Sequence, residues 1–264
     1  MINSKFFTSE CPSPERIRND IVRDGFAIYP NMIHPEFMFE MRRVWEKHFD
    51  GVKAQTRAVR GNLRLGEKNF DSFTRDSEWC LYRSFEFLWN PPVDRLTREV
   101  CVDIHRLRNL AQDFGEEVGL NFNEQGYGVY ISTSLYPMGS GFLRAHTDGH
   151  QDIPILQYMV PLTFKGKDYR GGGLYIIDKN GAKIDVDSIM TSGSVVFFDG
   201  RMKHGVDTIV GENGLGRIAT FAIPTFFRTH AVIPAAVRQF ERVYTGVERR
   251  LSSLMGSKPS ANAY

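Results

Sequence analysis

Apolar and polar positions divide the chain into a helical first third, a β-rich middle and a helical end. Ser13-Pro14-Glu15 opens a helix. Ser13 suits the cap, and Pro14 suits the first helical position, where its missing N–H costs nothing. Ile17, Ile21 and Val22 supply an apolar face, and Gly25 stops the helix. Phe26 to Pro30 reads as a short strand. A second helix carries Phe37, Met41, Val44 and His48 at helical spacing. A third runs from about Pro92 to Phe114, with Leu96, Val100, Ile104, Leu107 and Phe114 on one side. A last helix, from about Pro234 to Leu254, is carried by Val237, Phe240, Val243, Tyr244, Val247 and Leu251.

Between residues 126 and 227 short β-rich runs alternate with turn signals. They are Tyr127 to Tyr136, Ile153 to Thr163, Gly173 to Ile177, Ser194 to Phe198, His204 to Val210 and Arg217 to Phe227. Strands of this length and spacing imply a sandwich or barrel. Residues 51–90 have no clear period and mix Arg57, Arg60, Arg64, Arg75 and Arg83 with Phe70, Phe73, Trp79 and Tyr82. Such a stretch in a compact domain reads as a lid or binding loop. The expected architecture is mainly β with flanking helices in a single domain. It comprises a helical part with the lid (1–125), the β core (126–227) and a C-terminal helix (228–256), with a loose tail from Ser257.

Composition narrows the function classes. The 264 residues suffice for a full core, and 42% hydrophobic with 24% charged residues is ordinary for a soluble domain. A net charge of +2 gives no general nucleic-acid or membrane surface. Cys11, Cys80 and Cys101 form no metal or redox spacing, so a reducing cytoplasm is the simplest location. The N-terminus lacks the pattern of a secretory signal, and no apolar run is long enough to span a bilayer.

The candidate chemistry lies in Arg-Ala-His-Thr-Asp-Gly-His and Asp-Gly-Arg-Met-Lys-His-Gly-Val. His146 and Asp148, two apart on extended backbone, project to one side, and His204 arrives 56 residues later from another strand. Two imidazoles and one carboxylate on one face of an octahedral ion leave three open positions, which is the facial triad of non-haem iron(II). Those positions suit a chelating keto acid and O2. His-x-Asp alone arises by chance; the strand that precedes His204 and the Arg217 that follows it give the pair its context. A barrel interior rarely takes an arginine without an anion to meet it. The planar guanidinium of Arg217 suits a carboxylate.

The order His146-Thr147-Asp148, then Gly-Gly-Gly-Leu-Tyr-Ile (171–176), then Gly-Ser-Val-Val-Phe-Phe-Asp (193–199) with His204, then Arg217, resembles the iron(II)/2-oxoglutarate-dependent dioxygenase superfamily. The opening Asp24 to Ile33, followed by a helix, is similar, more weakly, to its phytanoyl-CoA dioxygenase-like branch; a prolyl-hydroxylase-like branch is the other candidate. The motif-bearing resemblance covers about residues 126–227. It implies a double-stranded β-helix (jelly roll), Fe(II) held by His146, Asp148 and His204, and 2-oxoglutarate and O2 as co-substrates. It also implies oxidation of an unactivated C–H bond, with hydroxylation leading, and release of succinate and CO2. Arg217 would take the distal carboxylate of 2-oxoglutarate. It lies further from His204 than is usual, a difference the turn 211–216 absorbs; Arg201 and Arg228 are weaker substitutes. Related halogenases lack the acidic ligand, whereas Asp148 is present here.

Other residues have softer roles. Gln157 and Tyr136 are expected to touch the co-substrate, with Tyr130 as a second tyrosine. Arg144, two before His146, is expected to share its mouth and bind an acidic group of the substrate. For the tyrosines, core packing is an equal reading. The substrate is expected to be a small molecule such as an amino acid or specialised metabolite, with a peptidyl or lipid-CoA substrate as runner-up. A cupin-like isomerase or binding protein without oxygenase activity is the alternative, and would draw a further ligand from His150 or Glu212. Oligomeric state stays open.

Overall fold

A computed structural model describes residues 4–51, 63–121, 127–148 and 156–227. The expected C-terminal helix, His150 and Arg228 lie outside the described residues. Helix α1 (Pro14–Asp24) begins as its sequence requires. Ser13 accepts from the Arg16 amide at 3.2 Å, and Gly25 closes the helix at φ 84°. Ile17 is buried, whereas Val22 is exposed. After strand β1 (Phe26–Tyr29), helix α2 (Pro35–Gly51) buries Met38, Met41, Trp45 and Phe49. This face is turned by about one residue from the expected Phe37-Met41-Val44-His48 face. Trp45 decides the turn: it brings the largest apolar surface of the helix, and its Nε1 donates to Thr97 Oγ1 at 2.8 Å.

Residues 70–87 are not a loop. They form β2 (Phe70–Arg75) and β3 (Trp79–Phe87), paired antiparallel from Phe70↔Phe85 to Arg75↔Cys80. Helix α3 (Arg95–Ala111) starts three residues later than expected, because Asp94 caps it by accepting from the Thr97 amide at 2.8 Å. The remaining strands are β4 (Tyr127–Pro137), β5 (Phe142–His146), β6 (Leu156–Pro161), β7 (Gly171–Ile177), β8 (Lys183–Asp185), β9 (Val195–Asp199), β10 (His204–Val210) and β11 (Gly216–Phe226).

The strands form a curled sheet in the order β1-β9-β6-β11-β4-β3-β5-β10-β7-β8, with β2 on β3. Every named pair is antiparallel, and the non-consecutive order is that of a jelly roll. Alternation along the strands builds two cores. Ile131, Leu135, Tyr158, Val160, Phe197 and Ile218 pack outward with α1, α2 and α3. Leu81, Tyr136, Met159, Leu174, Ile176, Val196, Phe198, Val206 and Ala219 fill the inside of the curl. Both faces of the central strands are therefore covered, and polar groups on the inner face stand in dry surroundings.

Candidate metal centre

His146 ends β5 and His204 begins β10, and the two are direct cross-strand partners with ring centroids 4.4 Å apart. Asp148 follows β5 on extended chain, held by its amide donating to the Gly200 carbonyl at 2.8 Å. Its Oδ1 lies 3.4 Å from His146 Nε2, and its Oδ2 lies 3.4 Å from His204 Nε2. Ligands about 2.1 Å from one ion and at right angles stand about 3 Å apart, so this spacing suits a shared metal. One ligand atom from each residue falls within a 4.8 Å cluster.

The outer nitrogens explain the inward ones. His146 Nδ1 meets the Arg144 carbonyl at 2.9 Å, and His204 Nδ1 meets the Met202 carbonyl at 2.8 Å. A carbonyl only accepts, so each Nδ1 carries a proton and each Nε2 is the atom turned to the centre. Phe198 packs edge-on against the His204 ring, with centroids 4.8 Å apart, and Gln157 Nε2 donates to Asp148 Oδ2 at 2.6 Å. Burial alone would raise the Asp148 pKa, but its hydrogen bonds to His146 and His204 hold it well below the usual carboxylate range. Burial opposes a charged His146, yet the Asp148 carboxylate outweighs it and raises the imidazole pKa. Two imidazoles gathered around one ionised carboxylate are also a good site for a cation.

Beyond the triad, the inner face of β4 carries Tyr130, Ser132, Ser134 and Tyr136. Their partners on β11 are Ile223, Phe221, Ala219 and Arg217. Ser134 and Ala219, at the middle of the curl, are small and adjacent. Arg217, 1% exposed, meets an anion as its position requires, but that anion is Asp187 of the same chain. Arg217 Nε donates to Asp187 Oδ2 at 2.6 Å and Nη2 to Oδ1 at 3.0 Å. Sequence reasoning missed Asp187; its only signal was an acidic residue between the apolar Val186 and the Ile189-Met190 pair. Asp187 also accepts from Tyr169 Oη and from the Leu174 amide. Its charge raises the Arg217 pKa against the opposing effect of burial.

Among the described residues two buried polar atoms on this inner face have no partner: Arg217 Nη1 and the hydroxyl of Ser134. They stand on adjacent strands near Tyr136, whose ring lies 5.6 Å from the Arg217 guanidinium carbon. Burial raises the pKa of both Tyr130 and Tyr136, so each keeps its hydroxyl proton. An orphaned N–H, an orphaned hydroxyl and a tyrosine beside two small residues are what a buried carboxylate would complete.

Arg144 is placed elsewhere. The register shifts between His204↔His146 and Val206↔Leu143, so strict alternation fails along β5. Arg144 is exposed and lines a groove with Glu78, Tyr175, Asp207 and Thr208 that does not include His146. Arg201 is also exposed and pairs with Asp199 at 2.5 Å. Glu212 is exposed and pairs with Arg170, away from the triad.

Comparison with solved structures shows which fold carries this arrangement. A prolyl-4-hydroxylase from Pseudomonas putida matches 83% of this chain and 100% of its own, with TM-score 0.55 and 16% identity. A prolyl hydroxylase from Trichoplax adhaerens, solved with a hypoxia inducible factor peptide fragment, matches 81% and 90%, with TM-score 0.52 and 14% identity. The chain has their fold. The same jelly roll is shared by SnoN, a non-haem α-ketoglutarate-dependent epimerase of nogalamycin biosynthesis, over 80% of this chain and 82% of that one, at TM-score 0.53 and 11% identity. By sequence alone, no family model and no curated protein matches. In this jelly roll the triad sits at one mouth of the curl, and the Arg217–Asp187 pair lies inside it.

Proposed function

We propose that the protein is a non-haem iron(II) oxygenase that uses 2-oxoglutarate and O2. It oxidises, by hydroxylation in the first place, a C–H bond of a small molecule such as an amino acid or specialised metabolite, and releases succinate and CO2. The chain acts as a single domain. The observation that carries this reading is the convergence of two proton-fixed imidazoles and one carboxylate on one point, within a fold shared by enzymes of this chemistry.

His146, Asp148 and His204 would hold the iron, and the bound iron with 2-oxoglutarate would supply the power to oxidise an unactivated C–H bond. The rest falls to the chain. The backbone carbonyls of Arg144 and Met202 keep the imidazole tautomers that ligation needs, and Gln157 orients Asp148. Arg217 Nη1, the Ser134 hydroxyl and the Tyr136 hydroxyl are the donors for the distal carboxylate of 2-oxoglutarate. The apolar lining of Met159, Val196 and Phe198 excludes water and strengthens each of these hydrogen bonds.

The cupin-like alternative needs a further ligand. Among the described residues the cluster has three members, and Glu212 is not near it. The test is iron-dependent conversion of 2-oxoglutarate to succinate by the purified protein. The reading predicts slow turnover that His146→Ala and His204→Ala abolish together with iron binding. Wild-type turnover in either variant contradicts it.

A further inference from the structure

Arg83 is the positive charge inside the curl that the proposed chemistry leaves unused. It lies on β3 in the inward-facing series Leu81, Arg83, Phe85 and Phe87, of which Leu81, Phe85 and Phe87 are buried in the inner clusters. Its cross-strand neighbours are Ser72 on β2 and Ser134 on β4, and Ser134 is followed by Ala219 on β11. Small side chains thus flank the guanidinium on both sides. Its partners are neutral, and the Tyr130 side chain is one of them. Nε reaches Ser132 Oγ at 3.3 Å, and Cζ lies 4.6 Å from the centre of the Phe85 ring. Among the described residues no carboxylate pairs with it.

The other charges nearby are spoken for. Arg217 is matched by Asp187, and Asp148 by the two histidines. Arg83 also stands beside the inner tyrosines of β4: burial dominates the raised pKa of Tyr130 and Tyr136, and the Arg83 charge opposes it in both. A half-buried arginine laid on an aromatic face, with no carboxylate beside it among the described residues, is suited to grip a planar anion.

We propose that Arg83 binds a carboxylate of the molecule being oxidised, so that the substrate is an acid, held with its reacting carbon toward His146. This rests on the oxygenase reading and adds the substrate's chemical class. Arg217, fully enclosed, serves the co-substrate; Arg83, partly exposed, serves the molecule that enters afterwards.

The test uses iron(II)- and 2-oxoglutarate-loaded protein without O2, titrated with free amino acids and simple carboxylic acids, each beside its carboxamide. The readout is the perturbation of the visible band of the iron–2-oxoglutarate complex. In wild type, one or more acids should perturb the band while their amides do not. R83Q should weaken that response roughly tenfold to a hundredfold, the worth of a hydrogen-bonded charge, R83K should recover part of it, and the 2-oxoglutarate affinity of both variants should stay close to that of wild type. The proposal is overturned if amides match acids, if no acid acts, if R83Q responds as wild type, or if R83Q loosens 2-oxoglutarate instead. Absence of the band in wild type is a separate failure, of the oxygenase reading. Calorimetry with the same acids and amides then decides whether Arg83 still selects acids.

Discussion

Arg217 and Asp187 form a two-point ion pair in the interior, 1% and 3% exposed by side chain, that leaves Arg217 Nη1 without a partner among the described residues. The pair fixes the direction of the guanidinium and leaves one nitrogen for a ligand. Asp187→Asn keeps the shape but removes the charge. We expect it to raise the dissociation constant of 2-oxoglutarate, with a smaller effect on turnover at saturation. Breaking one side of a buried pair costs about 3–5 kcal/mol, so the variant should also melt earlier. Calorimetric titration with 2-oxoglutarate and a thermal melt check both; unchanged affinity would detach Asp187 from the co-substrate pocket.

Gly173 is what lets Asp187 reach its place. Its φ is +104°, and a Cβ there would stand 2.4 Å from Asp187 Oδ2. Gly173→Ala therefore combines backbone strain, of order 1–3 kcal/mol, with displacement of the Asp187 carboxylate. It should reproduce the Asp187→Asn defect in 2-oxoglutarate binding, although residue 173 contacts no ligand in this account. A variant that is destabilised but binds 2-oxoglutarate normally would show that the carboxylate tolerates the shift.

Gln157 would act on a bound metal through Asp148. Removing its 2.6 Å hydrogen bond in Gln157→Leu frees the carboxylate to turn. Loss of such an outer partner weakens metal binding about 10- to 100-fold. Titration with iron(II), or with cobalt(II) as a spectroscopic substitute, measures this. Gln157 was expected to touch the co-substrate; if the variant changes 2-oxoglutarate affinity and leaves metal affinity intact, that expectation is the better one.

His105 gives the fold an acid limit. Burial, reinforced by the Arg108 charge, pushes its pKa down to about 3, while its Nε2 meets the Val118 carbonyl at 3.0 Å. The unfolded chain takes up this proton near pH 6.5 and the folded chain only near pH 3. Stability from this residue is thus complete above about pH 6.5 and is lost as pH falls toward 3. His105→Gln should lower stability at pH 8 but flatten the decline in melting temperature between pH 7 and pH 4. An equally steep decline in the variant would place the acid sensitivity elsewhere.

The triad and the jelly roll were legible because both depend on local signals. His146-x-Asp148 lies on extended chain, and the runs around Val195–Asp199 and Arg217 carry a strand's apolar content. Strand β3 was hidden for a physical reason. Both its faces are covered, so Cys80, Ser84 and Glu86 are buried behind it while the charged Arg83 occupies an inner position. No alternation survives such an arrangement. Asp187 was invisible because its meaning lies in a partner thirty residues away in sequence. Arg144 shows the limit of spacing rules: one register shift in β5 turns it from the mouth containing His146 to an outer groove.

The most direct test of the central claim is an anaerobic titration of the iron(II)-loaded protein with 2-oxoglutarate, followed in the visible spectrum. Chelation of the keto acid at the positions left open by His146, Asp148 and His204 predicts a weak metal-to-ligand charge-transfer band that saturates with one equivalent and is missing in His204→Ala. An iron-loaded wild-type protein that shows no such band would contradict the oxygenase assignment and favour a metal-binding jelly roll of another function.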